Sequence, residues 1–196
     1  MSPLRFHRAQ EIRLPRGEWR IPLAPVIRPD RLRFDFMKLA KLLSTDQIIL
    51  DMKAVEHWPA ITELVAQLVK SRRLPRAQRL LILAALKARE DQVSTGIGCG
   101  VAIPHAFSDE ADEVVAVFGR SRPGLDFESL DNAPVHFIIL FIVPRKDYPL
   151  HLRTLAAIAK MFTNREILRQ LGTAESREEI LAILECKPFR AVAPVA

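Results

Sequence analysis

Six stretches of the chain repeat apolar residues at the three- and four-residue spacing of an amphipathic helix. The pattern predicts helices over 37–43, 60–69, 76–89, 149–161, 165–171 and 176–185. In the helix over 76–89, we expect the inward side to carry Leu80, Leu83, Ala84 and Leu86. Gly172 is expected to end the fifth helix, and Ser176 with Glu179 has the spacing of a capping box that begins the sixth.

Shorter apolar runs predict strands at 48–50, 114–119 and 135–143. The last run is apolar almost throughout, which indicates a strand that is buried on both faces. The segment 122–134 is rich in turn-forming residues and is predicted to connect the last two strands. Strands that alternate with helices in this way predict a single α/β domain with a mixed β-sheet covered by helices on both faces.

Positive charge is concentrated in the first 34 residues, which contain eight arginines, five prolines and only three acidic side chains. Prolines at this density break helices and strand ladders, so an extended N-terminal arm is predicted over 1–34. The domain is predicted over 35–187, followed by a tail over 188–196. Since the domain itself is almost neutral, nucleic-acid binding is not indicated except through the arm.

Two absences narrow the setting in which the protein is expected to act. No apolar run approaches the roughly 20 residues that a membrane-spanning helix needs, and the basic N-terminus lacks the apolar core of a signal peptide. Cys99 and Cys186 match neither a disulfide framework nor a paired zinc motif. We therefore expect a cytoplasmic protein without membrane insertion.

The segment 95–106, TGIGCGVAIPHA, is the strongest candidate for a functional site. Gly96, Gly98 and Gly100 permit a tight turn and a close approach by another molecule, and Pro104 fixes the backbone just before His105. The segment predicts a turn followed by a short strand that ends by presenting the His105 imidazole.

His105 has three possible roles. It could brace the loop through hydrogen bonds, or it could bind a metal ion, for which Cys99 and His151 are conceivable companions. No close ligand pair supports a metal site, so none is predicted, and no cofactor is expected. As a nucleophile, its neutral imidazole could attack phosphorus and hold a phosphoryl group.

Arg89 and His151 are candidates for surrounding such a phosphoryl group. Arg89 is placed at the end of a helix just before the glycines. Hydrogen bonds to the phosphoryl oxygens could also come from the backbone amides of the glycine segment, at Thr95, Gly96, Gly98, Cys99 and Gly100. His151, in the first turn of the next long helix, could donate a hydrogen bond as a neutral imidazole. Arg89 could also serve only to complement the helix dipole, and His151 could be an ordinary surface residue.

The chain resembles the type 2 (fructose/mannitol) enzyme IIA domain of the bacterial phosphotransferase system, including its nitrogen-regulatory variant. The resemblance covers about 36–185. It rests on STGIGCGVAIPHA with the preceding Arg89-Glu90 pair, on GLDFESLDNAPVHFIILFIVP, and on HLRTLAAIAKMF. It implies that His105 accepts a phosphoryl group from the histidine-containing phosphocarrier protein HPr or its nitrogen-branch counterpart, and that Arg89 and His151 complete the active site.

This chain departs from the family pattern at two positions. Cys99 replaces a residue that is usually polar, and Ala106 replaces a residue that is usually glycine, which would strain the backbone if φ is positive there. The leading hypothesis is a regulatory phosphocarrier. The alternatives are a sugar-route component that passes the phosphoryl group to a separate IIB protein, and a binding module, not phosphorylated in use, that is recruited through the basic arm.

Overall fold

In the computed structural model, residues 39–147, 155–156 and 158–185 are described. They form a mixed six-stranded sheet. Its strands are β1 (Ile48–Ile49), β2 (Gly96–Gly98), β3 (Val101–Ala102), β4 (His105–Ser108), β5 (Val115–Leu125) and β6 (Val135–Pro144). The order across the sheet is β1-β5-β6-β3-β2, and β4 also pairs with β6.

The β6 strand is the centre of this sheet. It runs antiparallel to β5 on one side and parallel to β3 and then β4 on the other. Every β6 residue except His136 is buried, as its apolar sequence predicts. Phe137, Ile139 and Phe141 belong to one core, while Ile138, Leu140 and Ile142 belong to a second core, so the two faces of the sheet are both covered.

The helices are α1 (His57–Lys70), α2 (Arg79–Glu90), α3 with helical residues 155–156 and 158–161, α4 (Arg165–Thr173) and α5 (Arg177–Glu185). Short 3-10 helices span Leu39–Leu42, Thr45–Gln47, Arg76–Gln78 and Arg145–Asp147. Apolar residues of α1 and α2 belong to one core, and those of α3, α4 and α5 to the other. The predicted mixed sheet with helices on both faces is confirmed.

The inward side predicted for the second long helix is only partly correct: Leu86 is buried and Leu83 packs against the core, but the other two predicted residues face solvent. Leu80 and Ala84 are exposed, and the buried residues of α2 are Ile82, Leu86 and Glu90. Residues 80–83 are all apolar, so the sequence does not fix which side of the helix faces inward. The structure shows that the inward side is the one that carries Ile82, Leu86 and Glu90, which follow one another at four-residue spacing.

Two predicted ends are also wrong. The β5 strand continues past residue 119 to Leu125, and its pairing register with β6 shifts between Arg120 and Leu125. The α4 helix continues past Gly172 to Thr173. It can do so because the buried Arg120 guanidinium caps its end by donating hydrogen bonds to the carbonyls of Leu171, Gly172 and Ala174.

The capping box predicted for the last helix is confirmed for one of its two hydrogen bonds, in which the Glu179 amide donates to the Ser176 hydroxyl (3.1 Å). The Glu179 carboxylate accepts from the Glu175 amide (2.8 Å). The helix predicted over 37–43 is a 3-10 helix in its described part. The predicted boundaries at 34/35 and 187/188 lie outside the described residues. Among the described residues, no helix is long and apolar enough to cross a membrane.

Candidate functional site

Pro104 separates β3 from β4. His105 is therefore the first residue of a strand, whereas the sequence predicts that it ends one. Proline has no N–H to donate to a strand ladder, so the pairing of β3 with β6 stops before it. The Pro104 carbonyl still accepts from the Phe141 amide (3.0 Å), and His105 then lies opposite Phe141 at the first position of β4.

The two ring nitrogens of His105 have different neighbours. Nδ1 lies 3.0 Å from the Ile103 carbonyl oxygen. Because a carbonyl only accepts, Nδ1 carries the proton in the neutral ring and Nε2 holds a lone pair. Nε of Arg89 donates to this Nε2 over 3.2 Å, while another nitrogen of the same guanidinium donates to the Val93 carbonyl (2.8 Å).

The environment of His105 favours the neutral imidazole. Burial lowers its pKa below 6.5, and the positive charge of Arg89 lowers it further. The Ile103 carbonyl and the negative charge of Glu90 oppose that shift without cancelling it. A neutral imidazole with a lone pair on Nε2 is the form that can act as a nucleophile.

Glu90, the residue after Arg89, is buried with only 8 % of its surface exposed. Its carboxylate accepts from the Thr95 amide (2.6 Å) and from the Thr95 hydroxyl (2.8 Å). Burial raises the pKa of Glu90, but the close approach of the His57 ring and the hydrogen bonds from Thr95 outweigh it, so the net pKa is lowered. Glu90 is therefore ionised at neutral pH.

His57, at the start of α1, lies on the other side of Glu90. Its Nε2 is 3.0 Å from Oε1 of Glu90, although the N–H is not aligned for a straight hydrogen bond, so we treat the contact as electrostatic. Both residues line a cavity of about 660 Å³ whose wall also includes Trp58, Lys87 and Glu128. Sequence reasoning noted Glu90 only as part of a motif and missed His57, which carries no local signal.

The glycine turn holds three consecutive residues at positive φ: Gly98 (88°), Cys99 (56°) and Gly100 (75°). Ala106, a buried residue of β4, does not have a positive φ, so the condition for strain at that position is not met. The non-glycine residue of this segment with a positive φ is Cys99. The Cys99 amide donates to Asp131 (2.9 Å), and the Gly100 carbonyl accepts from the His136 and Phe137 amides. These groups therefore attach the turn to the connector between β5 and β6 and to the start of β6.

The structure brings some of the predicted site residues together and separates others. Arg89 contacts His105 directly, and Thr95 is linked to the same helix end through Glu90. The residue after the turn, Val101, lies opposite Phe137, about 13 Å along β6 from the position opposite His105. A phosphoryl-binding role for the turn remains a prediction, and His151 lies outside the described residues.

The described residues hold no group of three or more His, Cys, Asp or Glu side chains arranged to bind a metal ion. What they do hold is a neutral histidine whose Nε2 lone pair accepts a hydrogen bond from an arginine. This arrangement stands at the edge of a mixed sheet that is covered by helices on both faces.

The fold, the segment around His105 and the comparisons with known proteins agree on one class. The chain belongs to the family described as "Phosphoenolpyruvate-dependent sugar phosphotransferase system, EIIA 2", whose model matches residues 41–187. Within that family, the chain is similar both to nitrogen regulatory proteins and to sugar-specific components.

A nitrogen regulatory protein of Bradyrhizobium diazoefficiens is 28% identical over 155 residues, which are 79% of this chain and 99% of that protein. The fructose-specific EIIABC component of Bacillus subtilis is 36% identical over 148 residues, 76% of this chain but only 23% of that protein. The crystal structure of the nitrogen regulatory protein IIA-Ntr from Neisseria meningitidis has a TM-score of 0.68 and 32% identity, covering 74% of this chain and 98% of that one.

Proposed function

We propose that this protein is a phosphocarrier in which Nε2 of His105 accepts a phosphoryl group from HPr or its nitrogen-branch counterpart. The observation that carries the proposal is that the two nitrogens of the His105 ring have different partners. Nδ1 is engaged by the Ile103 carbonyl, and the lone pair of Nε2 faces Arg89. Membership of a phosphotransferase-system family supports phosphoryl transfer as the class of reaction.

The transfer balances without a cofactor. The Arg89 Nε–H first leaves the Nε2 lone pair and turns to the phosphoryl oxygens. The lone pair then forms a new P–N bond as the P–N bond to the donor histidine breaks, and the electron pair of the broken bond returns to the donor's ring. Charge on the three phosphoryl oxygens has to be stabilised as this happens, which is the task of Arg89. The Nδ1 proton remains on the ring, where the Ile103 carbonyl stabilises the positive charge that develops.

A regulatory role is favoured over a sugar route. The match to the Bradyrhizobium nitrogen regulatory protein covers nearly that whole protein, and the similarity to the Neisseria regulatory structure extends over 98% of it. The sugar route is the second candidate because the Bacillus fructose-specific relative has the higher identity of 36%. In that case His105 would pass its phosphoryl group to a IIB protein.

The test is incubation with phosphoenolpyruvate, enzyme I and HPr or its nitrogen-branch counterpart, followed by intact-mass analysis at neutral to alkaline pH. We expect a gain of one phosphoryl group that is lost on acid treatment and is not found in His105→Ala. No gain with either donor, or unchanged labelling of His105→Ala, would overturn the proposal. Rapid transfer onward to a fructose-type IIB protein would favour the sugar route.

A further inference from the structure

We propose that Glu90 is a positioning residue that sets the orientation of the His105 imidazole, and that His57 holds Glu90 in place. The inference rests on the proposed function, in which Nε2 of His105 is the accepting atom. Glu90 does not contact the reacting atoms in the arrangement proposed. It acts through the backbone that lies between residues 95 and 103.

The path from Glu90 to His105 is continuous. The Glu90 carboxylate accepts from the Thr95 amide (2.6 Å) and hydroxyl (2.8 Å). The Thr95 carbonyl accepts from the Ile103 amide (3.0 Å), and the Ile103 carbonyl engages Nδ1 of His105 (3.0 Å). The position of the carbonyl that fixes the ring is therefore set by a chain of hydrogen bonds that starts at Glu90.

The end of α2 thus acts on both nitrogens of one imidazole. Arg89 reaches Nε2 directly, while Glu90 reaches Nδ1 through Thr95 and Ile103. Adjacent helix residues point in different directions, which allows one of them to face the ring and the other to face the buried backbone. Orientation matters because a displacement of about 1 Å at a reacting atom can slow a transfer about 100-fold.

His57 contacts the Glu90 carboxylate on the side away from His105. Its ring packs on Phe127, with centroids 4.1 Å apart, and its Nε2 lies 3.0 Å from Oε1 of Glu90. The charged groups that face His57 are Glu90 and, at 4.0 Å, Glu128. Arg89 and Glu90 are charged groups that act on His105.

The first experiment measures the tautomer of His105 by long-range ¹H–¹⁵N NMR of the imidazole, with no phosphoryl donor present. We expect the wild-type ring to be protonated on Nδ1, and Glu90→Ala to show a mixture of tautomers because the Ile103 carbonyl is no longer held. Glu63→Ala is the matched control. Glu63 also accepts backbone amides, from Lys53 and Ala54, but it lies on α1 outside this path.

The second experiment measures the rate of phosphoryl acceptance at saturating donor. We expect Glu90→Ala to slow the step about 10- to 100-fold, and Glu63→Ala to leave it unchanged. Should the alanine variant fail to fold, both measurements are made on Glu90→Gln, because glutamine keeps the shape of the glutamate side chain and one of its acceptor oxygens. A partial tautomer shift with about tenfold slowing supports the proposal, and wild-type values in both measurements overturn it.

A double-mutant cycle tests the part assigned to His57. If His57 acts only by holding Glu90, then His57→Gln slows acceptance in the wild-type background and adds nothing in Glu90→Ala. Additive effects would overturn that part. If the wild-type protein accepts no phosphoryl group at all, the proposed function fails, whereas the tautomer measurement still decides whether Glu90 positions the ring.

Discussion

At the residue scale, Arg89 and Glu90 act on the His105 imidazole in opposite electrostatic directions. Burial is the main cause of the lowered pKa of His105, Arg89 adds to it, and Glu90 opposes it. The neutral ring is thereby retained at a pH below 6.5, the ordinary midpoint for histidine. We expect phosphoryl acceptance to persist into mildly acidic solution for this reason.

Arg89→Ala should shift the acid limb of the acceptance rate to higher pH, because removing the positive charge raises the pKa of His105. It should also lower the rate on the alkaline plateau by about 10- to 100-fold, since the phosphoryl oxygens lose a donor. The measurement is a pH–rate profile. Arg89→Lys, which keeps the charge, should retain most of the wild-type midpoint, and an unmoved limb in Arg89→Ala would contradict the electrostatic argument.

Cys99 is strained, because a residue with a Cβ atom at φ 56° lies in the left-handed region. Cys99→Gly should raise the free energy of unfolding by about 0.5 kcal/mol, the relief of strain being partly offset by the larger entropy of glycine in the unfolded chain. Urea denaturation measures the change. Cys99→Ala keeps the Cβ atom and should not raise the free energy of unfolding. Equal stabilisation by both variants would therefore show that strain of the Cβ at positive φ is not the cause.

At the scale of elements, Arg120 joins the sheet to α4. Its side chain is only 1 % exposed, and its guanidinium donates to the Leu171, Gly172 and Ala174 carbonyls while Nε donates to the Leu50 carbonyl (2.9 Å). Carbonyls at a helix end have no partner within the helix. One cation on β5 supplies that partner and also contacts Asp51 (3.4 Å).

Arg120→Met should lower the free energy of unfolding by about 3 kcal/mol, because it leaves several buried carbonyls without a donor. Chemical denaturation measures the loss. Arg122→Met provides the control, since Arg122 pairs with the same Asp51 (2.9 Å) from an exposed position and should cost less than about 1 kcal/mol. Equal losses would show that the carbonyl contacts are unimportant.

The elements differ in how much of them the sequence predicts. Continuous apolar character predicts β6 correctly, and the spacing of Ser176 and Glu179 predicts the start of α5. The four apolar residues at 80–83 leave the inward side of α2 undetermined. The β5 strand passes through Pro123 and Gly124 by means of a register shift that no local pattern reveals.

The candidate site shows the same limit. Arg89 and His105 lie on either side of the glycines in the sequence, and the structure places them in contact. Their roles in phosphoryl transfer stay predictions. The contact of His57 with Glu90 joins residues on different helices, so it depends on how α1 packs against α2. A contact of that kind becomes visible only when the packing is known.

At the scale of the whole molecule, the buried Glu90 carboxylate links stability to pH. Its pKa in the folded protein lies below the ordinary value of 4.5, so the unfolded chain binds the proton more readily. The stabilisation is therefore complete above about pH 4.5 and is lost as the pH falls through the lower pKa of the folded state.

Glu90→Gln should remove this part of the acid sensitivity. We expect the wild type to be the more stable protein at pH 7, and the difference in unfolding free energy to narrow as the pH falls below about 4.5. Thermal or urea unfolding between pH 3 and 7 measures the difference. A gap that stays constant over that range would show that ionised Glu90 does not stabilise the fold.

The central place of β6 has a consequence for how phosphorylation could be sensed. Since β6 is paired on both edges and buried along its length, its amides should exchange with solvent only when the whole domain opens. His105 is paired opposite this strand and is therefore held beside a strand that we expect to resist deformation. A phosphoryl group there would add up to about two negative charges without reshaping the sheet, and a partner that distinguishes the two forms would have to sense that charge at the surface.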